Sequence, residues 1–355
     1  MNVENTNKIQ NGKHDRLSRA NGTALVLAPF NVEALNALSR LMPVIHESWT
    51  DTRNLYSPEK LVERLNSQHI QVLVVEADFI FDEVFEQAKH LRFLGVCRGN
   101  PNQIDLEAAT NNGIIVVKTP GRNARAVAEL TLGLLLSLAR SIPSSHNYVT
   151  SGYWDDPMEP YISLRGTELY GKTLGLIGLG TIGRIVSMLG KSLGMRVIAH
   201  DPYLEATDTN NKLARILVPS LQTLLNEADF LSIHVPLNED TQRMLTTKHL
   251  SLMKQGSYIV NTAAYGVIDE RALVDSLQSG HIAGVALDVH ETHPLLPTSP
   301  FLKMDNVIFT PHIGGATRET IERHSKMVLE DLNRFLKGTK PKHLANPKVW
   351  GKHRG

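Results

Sequence analysis

The stretch Gly178-Leu179-Gly180-Thr181-Ile182-Gly183 constrains this chain more than any other. Alone, a GxGxxG spacing is a weak signal, because glycine-rich turns are common. Here it lies between an apolar strand run, Thr173-Leu174-Gly175-Leu176-Ile177, and a helical pattern that begins Arg184-Ile185-Val186. The next strand run, from Met195, ends in Asp201, 23 residues after Gly178. Strand, glycine turn, helix and distal carboxylate at this spacing are the parts that hold a dinucleotide. Gly180 admits backbone beside a pyrophosphate, the helix N-terminus offers unpaired N–H groups, and Gly183 permits close helix-to-strand packing. A carboxylate at 201 accepts the adenosine ribose hydroxyls and repels a 2′-phosphate, so NAD is expected rather than NADP. Arg184 and His200 leave a small opening for the phosphorylated cofactor.

The rest of the chain alternates short β-branched apolar runs with longer helical periods, which predicts parallel βα units. TALVLAP at 23, IQVLVVEA at 70, RFLGVC at 92 and GIIVVKTP at 113 read as strands of a first set. Helices are expected between them: NVEALNALSRLM at 31, SPEKLVERLNS at 57 with Ser57 as its cap, and DLEAATNN at 105 ended by Gly113. A second set of six strands runs from Thr173 to Pro311, enough for a complete doubly wound sheet. Residues 123–141 form a helix too apolar for one exposed face, so it is expected between layers or in a subunit interface. Residues 143–170 read as an irregular, aromatic loop or arm, and a last helix runs from Thr317 to Gly338. The polar start, residues 1–21, reads as a mobile tail.

At 355 residues the chain has room for two domains, and 37 basic against 36 acidic side chains argue against a general nucleic-acid or membrane surface. Its one cysteine, Cys97, rules out an intrachain disulfide and fits a reducing, cytoplasmic compartment. No uninterrupted apolar run approaches the roughly 18 residues of a membrane span, and no metal site is expected.

Two later strand ends carry titratable groups: Val289-His290-Glu291 after IAGVALD, and Pro311-His312 after NVIFT. Moving a hydride to or from an alcohol carbon requires a partner that gives or takes the hydroxyl proton, and an imidazole titrating near neutrality suits both directions. A carboxylate on the ring's other nitrogen fixes the tautomer and raises the pKa. Fifteen histidines in the chain make either assignment weak on composition alone.

Together these residues resemble the D-isomer-specific 2-hydroxyacid dehydrogenase family over roughly residues 70 to 320. The motifs that carry the likeness are IDLEAATNNGIIVVKTPGRNARAVAELTLGLLLSLAR, LYGKTLGLIGLGTIGRIV, HVPLNEDT, NTA, ALDVHE and TPHIGG. The resemblance implies an α/β chain of two doubly wound parallel-sheet domains, a Rossmann NAD domain (121–317) inserted into a flavodoxin-like substrate domain (22–120 and 318–355). It implies His312 as acid and base, with Glu291 as its carboxylate partner. Gly178, Gly180, Thr181, Ile182, Gly183, Asp201, His234, Val235, Pro236, Thr241, Thr262, Ala263, Asp288 and Gly315 are the implied cofactor contacts, Asp288 facing the nicotinamide. Asn123 begins the helix near the cofactor, and the segment 123–141 resembles the family's dimerisation helix, so a homodimer is expected.

Two departures stand out. The family usually has Asn-x-Ala-Arg-Gly after the strand that ends at Asn261, its arginine gripping the substrate carboxylate; this chain has Ala264-Tyr265. The family's glycine-rich carboxylate loop is replaced by CRGNPNQID at 97–105, which presents Arg98 and contains Pro101, a residue without an N–H. An arginine fork binds a carboxylate bidentately, so Arg98 is the expected substitute cation, with Gly99, Asn123 and Tyr265 as further substrate contacts. Arg122 and Arg125 are lesser candidates. The implied activity is hydride transfer between NAD(H) and a 2-hydroxy or 2-oxo acid. The alternative is a catalytically weak NAD(H)-binding sensor, favoured by the lost arginine and opposed by the retained acid/base pair.

Overall fold

Strands with apolar residues on both faces belong in parallel sheets covered on both sides, and this chain builds two such sheets. The structure, a computed structural model, describes residues 22–152, 154–204 and 214–353. The expected mobile tail at 1–21 lies outside the described residues. The chain divides into two compact units, Met1–Arg122 with Thr317–Gly355, and Asn123–Ala316.

The first unit holds β1 (Thr23–Val26), β2 (Val44–His46), β3 (Ile70–Val75), β4 (Phe93–Val96) and β5 (Ile115–Lys118). They are parallel neighbours in the order β2-β1-β3-β4-β5. The period-2 alternation sends Leu25, Leu73, Leu94 and Val116 into one core with Leu61 and Phe85, and Val26, Val74, Phe93 and Val117 into the other with Leu38, Val328 and Leu332. Val328 and Leu332 lie one turn apart on the helix Arg318–Leu336, whose cap Thr317 accepts the N–H of Thr320. Asn31 caps Val32–Ser39 in the same way. Ser57 precedes its helix without a side-chain cap bond; Pro58 opens that helix instead. Strand β2 escaped the sequence pattern because it is three residues long and contains no buried residue.

The second unit holds β6 (Thr173–Ile177), β7 (Arg196–His200), β8 (Phe230–Ile233), β9 (Ser257–Asn261), β10 (Ile282–Leu287) and β11 (Val307–Phe309). All pairs are parallel, in the order β11-β10-β9-β8-β6-β7. The order reverses at β6, so its carboxyl end is a topological switch point, where open α/β sheets receive ligands. The helix Ala124–Ala139 buries Ala128, Leu134, Leu135 and Leu138 in this unit's core, which accounts for its apolarity. The expected irregular arm instead contains two short helices, Ile142–Thr150 and Glu159–Ser163. Neither buries a residue, so neither leaves an apolar stripe in the sequence. Among the described residues no single helix is long and apolar enough to cross a membrane.

Candidate active site

The turn after β6 is built from backbone. Gly178 has φ +89°, and a Cβ there would meet the His234 carbonyl oxygen at 2.8 Å. A Cβ on Gly183 would strike the Gly178 carbonyl oxygen at 2.3 Å, whereas one on Gly180 would face open space. Gly180 caps the helix Thr181–Ser192 without a side-chain bond, so the first-turn N–H groups remain available to an anion. Thr181 is exposed and Ile182 half-buried beside them.

At the end of β7, Asp201 accepts the N–H of Leu179 at 2.9 Å through Oδ2 and that of Tyr203 at 3.1 Å through Oδ1. The ribose-binding candidate is thereby tied to the glycine turn itself. Arg184 donates through Nε to the Leu179 carbonyl at 2.9 Å, which occupies one of the two groups that left an opening for a 2′-phosphate. After β8, His234 meets the Ser232 hydroxyl at 2.9 Å through Nε2, and its enclosed Nδ1 has no partner among the described residues. Burial pushes its pKa down to about 4, so the ring is neutral at pH 7. Val235 is half-buried and Pro236 exposed; the Pro236 carbonyl accepts the Thr241 hydroxyl at 2.6 Å, which folds this loop back on itself. An open glycine cradle, a helix N-terminus, a turn-bound carboxylate and an orphaned ring nitrogen fit a dinucleotide.

After β9, Asn261 accepts the Ala263 N–H at 3.0 Å and donates to the Ala264 carbonyl at 2.9 Å, curling the strand end. Thr262 is buried, 3.0 Å from the Thr131 hydroxyl. Since Thr131 donates to the Val127 carbonyl, Thr262 donates to Thr131. Ala264 brings no charge, as the sequence foretold. Tyr265 is half-buried and lines a hollow of about 120 Å³ with Glu270, Glu291 and Thr292. Burial first, then the charge of Glu291, push the Glu270 carboxyl up.

Asp288, fully buried at the end of β10, accepts three bonds from the loop after β11. The Thr310 hydroxyl at 2.7 Å and the Ile313 N–H at 2.8 Å meet Oδ1, and the Gly314 N–H at 2.8 Å meets Oδ2. Its visible work is to pin the loop that carries His312, where a nicotinamide contact was expected. His312 sits at φ +56°, a conformation that side-chain-bearing residues adopt at a cost of order 1 kcal/mol and that clusters at functional sites. Its Nδ1 lies 2.9 Å from Nε2 of His293, at the nitrogen where Glu291 was expected. Glu291 is exposed and faces the hollow shared with Tyr265. His290 donates through Nε2 to the Thr310 carbonyl at 2.8 Å. On the far side of this loop, a Cβ on Gly315 would approach Nδ2 of Asn123 to 3.2 Å.

In the first unit, Arg98 and Gly99 follow β4 on the exposed rim. The Arg98 guanidinium has no hydrogen-bond or ion-pair partner among the described residues, although its carbonyl accepts the Thr119 N–H. The other candidate cations are engaged: Arg122 pairs with Glu76 at 2.6 Å and Arg125 with Glu129 at 2.5 Å. Arg122 also donates to Nδ1 of His324 at 2.8 Å, and Nε2 of His324 donates to the Pro29 carbonyl at 2.8 Å. Burial, opposed only in part by the bond to Pro29, takes the His324 pKa down to about 4. Sequence patterns missed this network and the partnership of His293; the only signal for the latter was His290-x-x-His293 beside a strand end.

A parallel α/β unit with a pyrophosphate-shaped turn, a turn-bound carboxylate and an imidazole on a later strand end defines a dinucleotide-dependent oxidoreductase. Residues 132–314 match the model of the D-isomer specific 2-hydroxyacid dehydrogenase family, NAD binding domain. The chain is 37% identical to a glyoxylate reductase of Thermofilum pendens, over 86% of this chain and 88% of that protein. It is 36% identical to a D-3-phosphoglycerate dehydrogenase of Methanocaldococcus jannaschii, over 91% of this chain and 59% of that longer protein. The crystal structure of the TT0316 protein from Thermus thermophilus superposes with a TM-score of 0.78 at 35% identity, over 91% of this chain and 99% of that one. The chain belongs to the D-isomer specific 2-hydroxyacid dehydrogenase family and is an NAD-dependent oxidoreductase.

Proposed function

We propose that the protein interconverts a 2-oxo acid and the corresponding 2-hydroxy acid, with His312 giving the carbonyl oxygen its proton in reduction and taking it back in oxidation. The observation that carries this reading is the Asp288 clamp. A buried carboxylate with three loop donors fixes one exposed histidine at positive φ, in the same sheet as the glycine turn. Bound NAD(H) supplies or accepts the hydride. The Gly178–Gly183 turn, Asp201, His234 and Thr262 are the residues that would hold it. The relatives are named for small 2-oxo and 2-hydroxy acids, among them a hydroxypyruvate reductase of Thermotoga maritima at 39% identity. The substrate class follows that chemistry.

On this reading the candidate for the cation absent at 264 is Arg98, whose guanidinium has no hydrogen-bond or ion-pair partner among the described residues. Losing a charge-assisted bidentate contact costs about 1.5–3 kcal/mol. Arg98→Ala should therefore raise KM for a 2-oxo acid about tenfold or more while leaving NADH affinity unchanged. Unchanged kinetics would dismiss Arg98. NADH oxidation over a panel led by glyoxylate and hydroxypyruvate tests the substrate class, and tight NADH binding without turnover would turn the reading toward a cofactor sensor.

A homodimer completes the proposal. The helix Ala124–Ala139 spends its apolar face inside its own unit, and the segment that follows exposes Ile142, Val149, Trp154, Met158, Tyr161 and Ile162. The single buried cysteine fits a cytoplasmic location.

A further inference from the structure

We propose that His293 is the positioning residue of this site, holding Nδ1 of His312 where the family resemblance called for a carboxylate. The proton used in the reaction is then kept by a pair of imidazoles. The inference rests on His312 being the acid and base. Its warrant is geometric. The two nitrogens are 2.9 Å apart, and the ring centroids lie 5.0 Å apart at 45°, so the rings meet edge to edge through nitrogen rather than by stacking. The two residues after His312 donate their N–H groups to Asp288, the His312 N–H donates to the Thr310 carbonyl, and His290, with its ring 6.0 Å from that of His293, is held by the same carbonyl. The His312 side of the pair is therefore tied to the ends of both strands, β10 through Asp288 and β11 through Thr310.

An imidazole lone pair accepts an N–H as a carboxylate oxygen does, but it brings no charge. In the singly protonated pair, His312 carries hydrogen on both nitrogens, donating Nδ1–H to Nε2 of His293 and keeping Nε2–H for the substrate. In reduction, one N–H bond breaks at Nε2 of His312 and one O–H bond forms on the substrate, while the two electrons come with the hydride of the reduced cofactor. The Nδ1–H···Nε2 bond survives the transfer, so the neutral pair retains the tautomer that reclaims the proton. A second proton on the pair meets like-charge repulsion.

Among the described residues, the charged and titratable groups nearest the pair along the chain are Asp288, His290 and Glu291 from the end of β10, and Glu270 of the helix Glu270–Gln278 shares a hollow with Glu291. Asp288 is committed to loop N–H groups and His290 to a carbonyl, while Glu291 and Glu270 face the hollow beside Tyr265. A carboxylate partner acts on an imidazole through its charge and its hydrogen bond, whereas a neutral imidazole brings the hydrogen bond alone. His293→Ala should therefore lower the His312 pKa by about one unit, and His293→Glu should raise it by about one unit or more. His293→Gln, whose amide oxygen still accepts the N–H, should fall between wild type and the alanine variant.

The test is histidine ¹⁵N NMR titration of the cofactor-free protein, read beside the pH profile of reductive kcat for wild type and the three variants. The expected result is that the His312 titration and the alkaline limb of kcat move together, down for Ala and up for Glu, with KM changed less than kcat. A His312 titration unmoved by His293→Ala would overturn the pairing. A moved titration with an unmoved kcat limb would reduce His293 to a structural neighbour. If wild type turns over no 2-oxo acid, the oxidoreductase reading fails by itself, and the NMR titration still decides whether His293 holds the His312 proton.

Discussion

The strand end after β6 and the strand ends after β10 and β11 share one sheet and are built by different means. The first is backbone: three glycines, a bare helix N-terminus and a carboxylate bonded into the turn. The second is side chain: Asp288, His290, His293 and His312 converge from two strand ends and fix one another. At Gly178 and Gly183 the backbone site tolerates no side chain, since an added Cβ would strike a carbonyl oxygen. A side-chain site tolerates exchange of one partner for another that accepts the same hydrogen bond. On the proposed reading, the contrast explains how the cofactor turn keeps its full pattern while the other end has alanine at 264 and meets His312 with an imidazole.

The sharpest way to break this comparison is to remove the acid. His312→Ala should lower reductive kcat by about 10²–10⁴-fold with NADH affinity, measured by fluorescence titration, held within about twofold. A variant that lost both would show that the two ends are not separable. Gly183→Ala puts a Cβ 2.3 Å from the Gly178 carbonyl. It should weaken NADH binding at least about tenfold, roughly 1.4 kcal/mol, without moving the histidine titrations. Asp201→Ala should weaken NADH several-fold and narrow its advantage over NADPH, checked by the ratio of the two dissociation constants. An unchanged ratio would remove Asp201 from the ribose.

A last contrast sets the histidine proposed for chemistry against one used for structure. His324 is buried and neutral, held near pKa 4 against an ordinary value of 6.5. Below about pH 6.5 the unfolded chain takes a proton that the folded chain refuses, so stability is full above that pH. It falls by roughly 3 kcal/mol as the pH drops toward 4. His234, also held near 4, adds to the same slope. The melting temperature of His324→Gln should depend less steeply on pH between 6.5 and 4 than that of wild type, even if the variant is less stable throughout. An equal slope would contradict the buried neutral ring.

What the sequence shows follows the same divide. The six strands of the second unit, the glycine turn and Asp201 are legible because backbone geometry writes itself as spacing. Ala264 was legible as an absence. Strand β2 was hidden by its three exposed-to-intermediate residues, and the two arm helices by having no buried face to set a period. His293 was hidden because its partner lies 19 residues away on another strand end, and nothing in local pattern says which histidines meet. Arg122 looked like a spare cation until the fold gave it Glu76, from a strand end 46 residues earlier.

The most direct test of the central claim is isotope transfer. NADH deuterated at the nicotinamide carbon that releases the hydride is mixed with the protein and a 2-oxo acid such as glyoxylate or hydroxypyruvate, and the product is weighed by mass spectrometry. The account predicts a 2-hydroxy acid carrying one deuterium at C2, formed by wild type and lost in His312→Ala. Tight NADH binding with no deuterated product from any 2-oxo acid would contradict it.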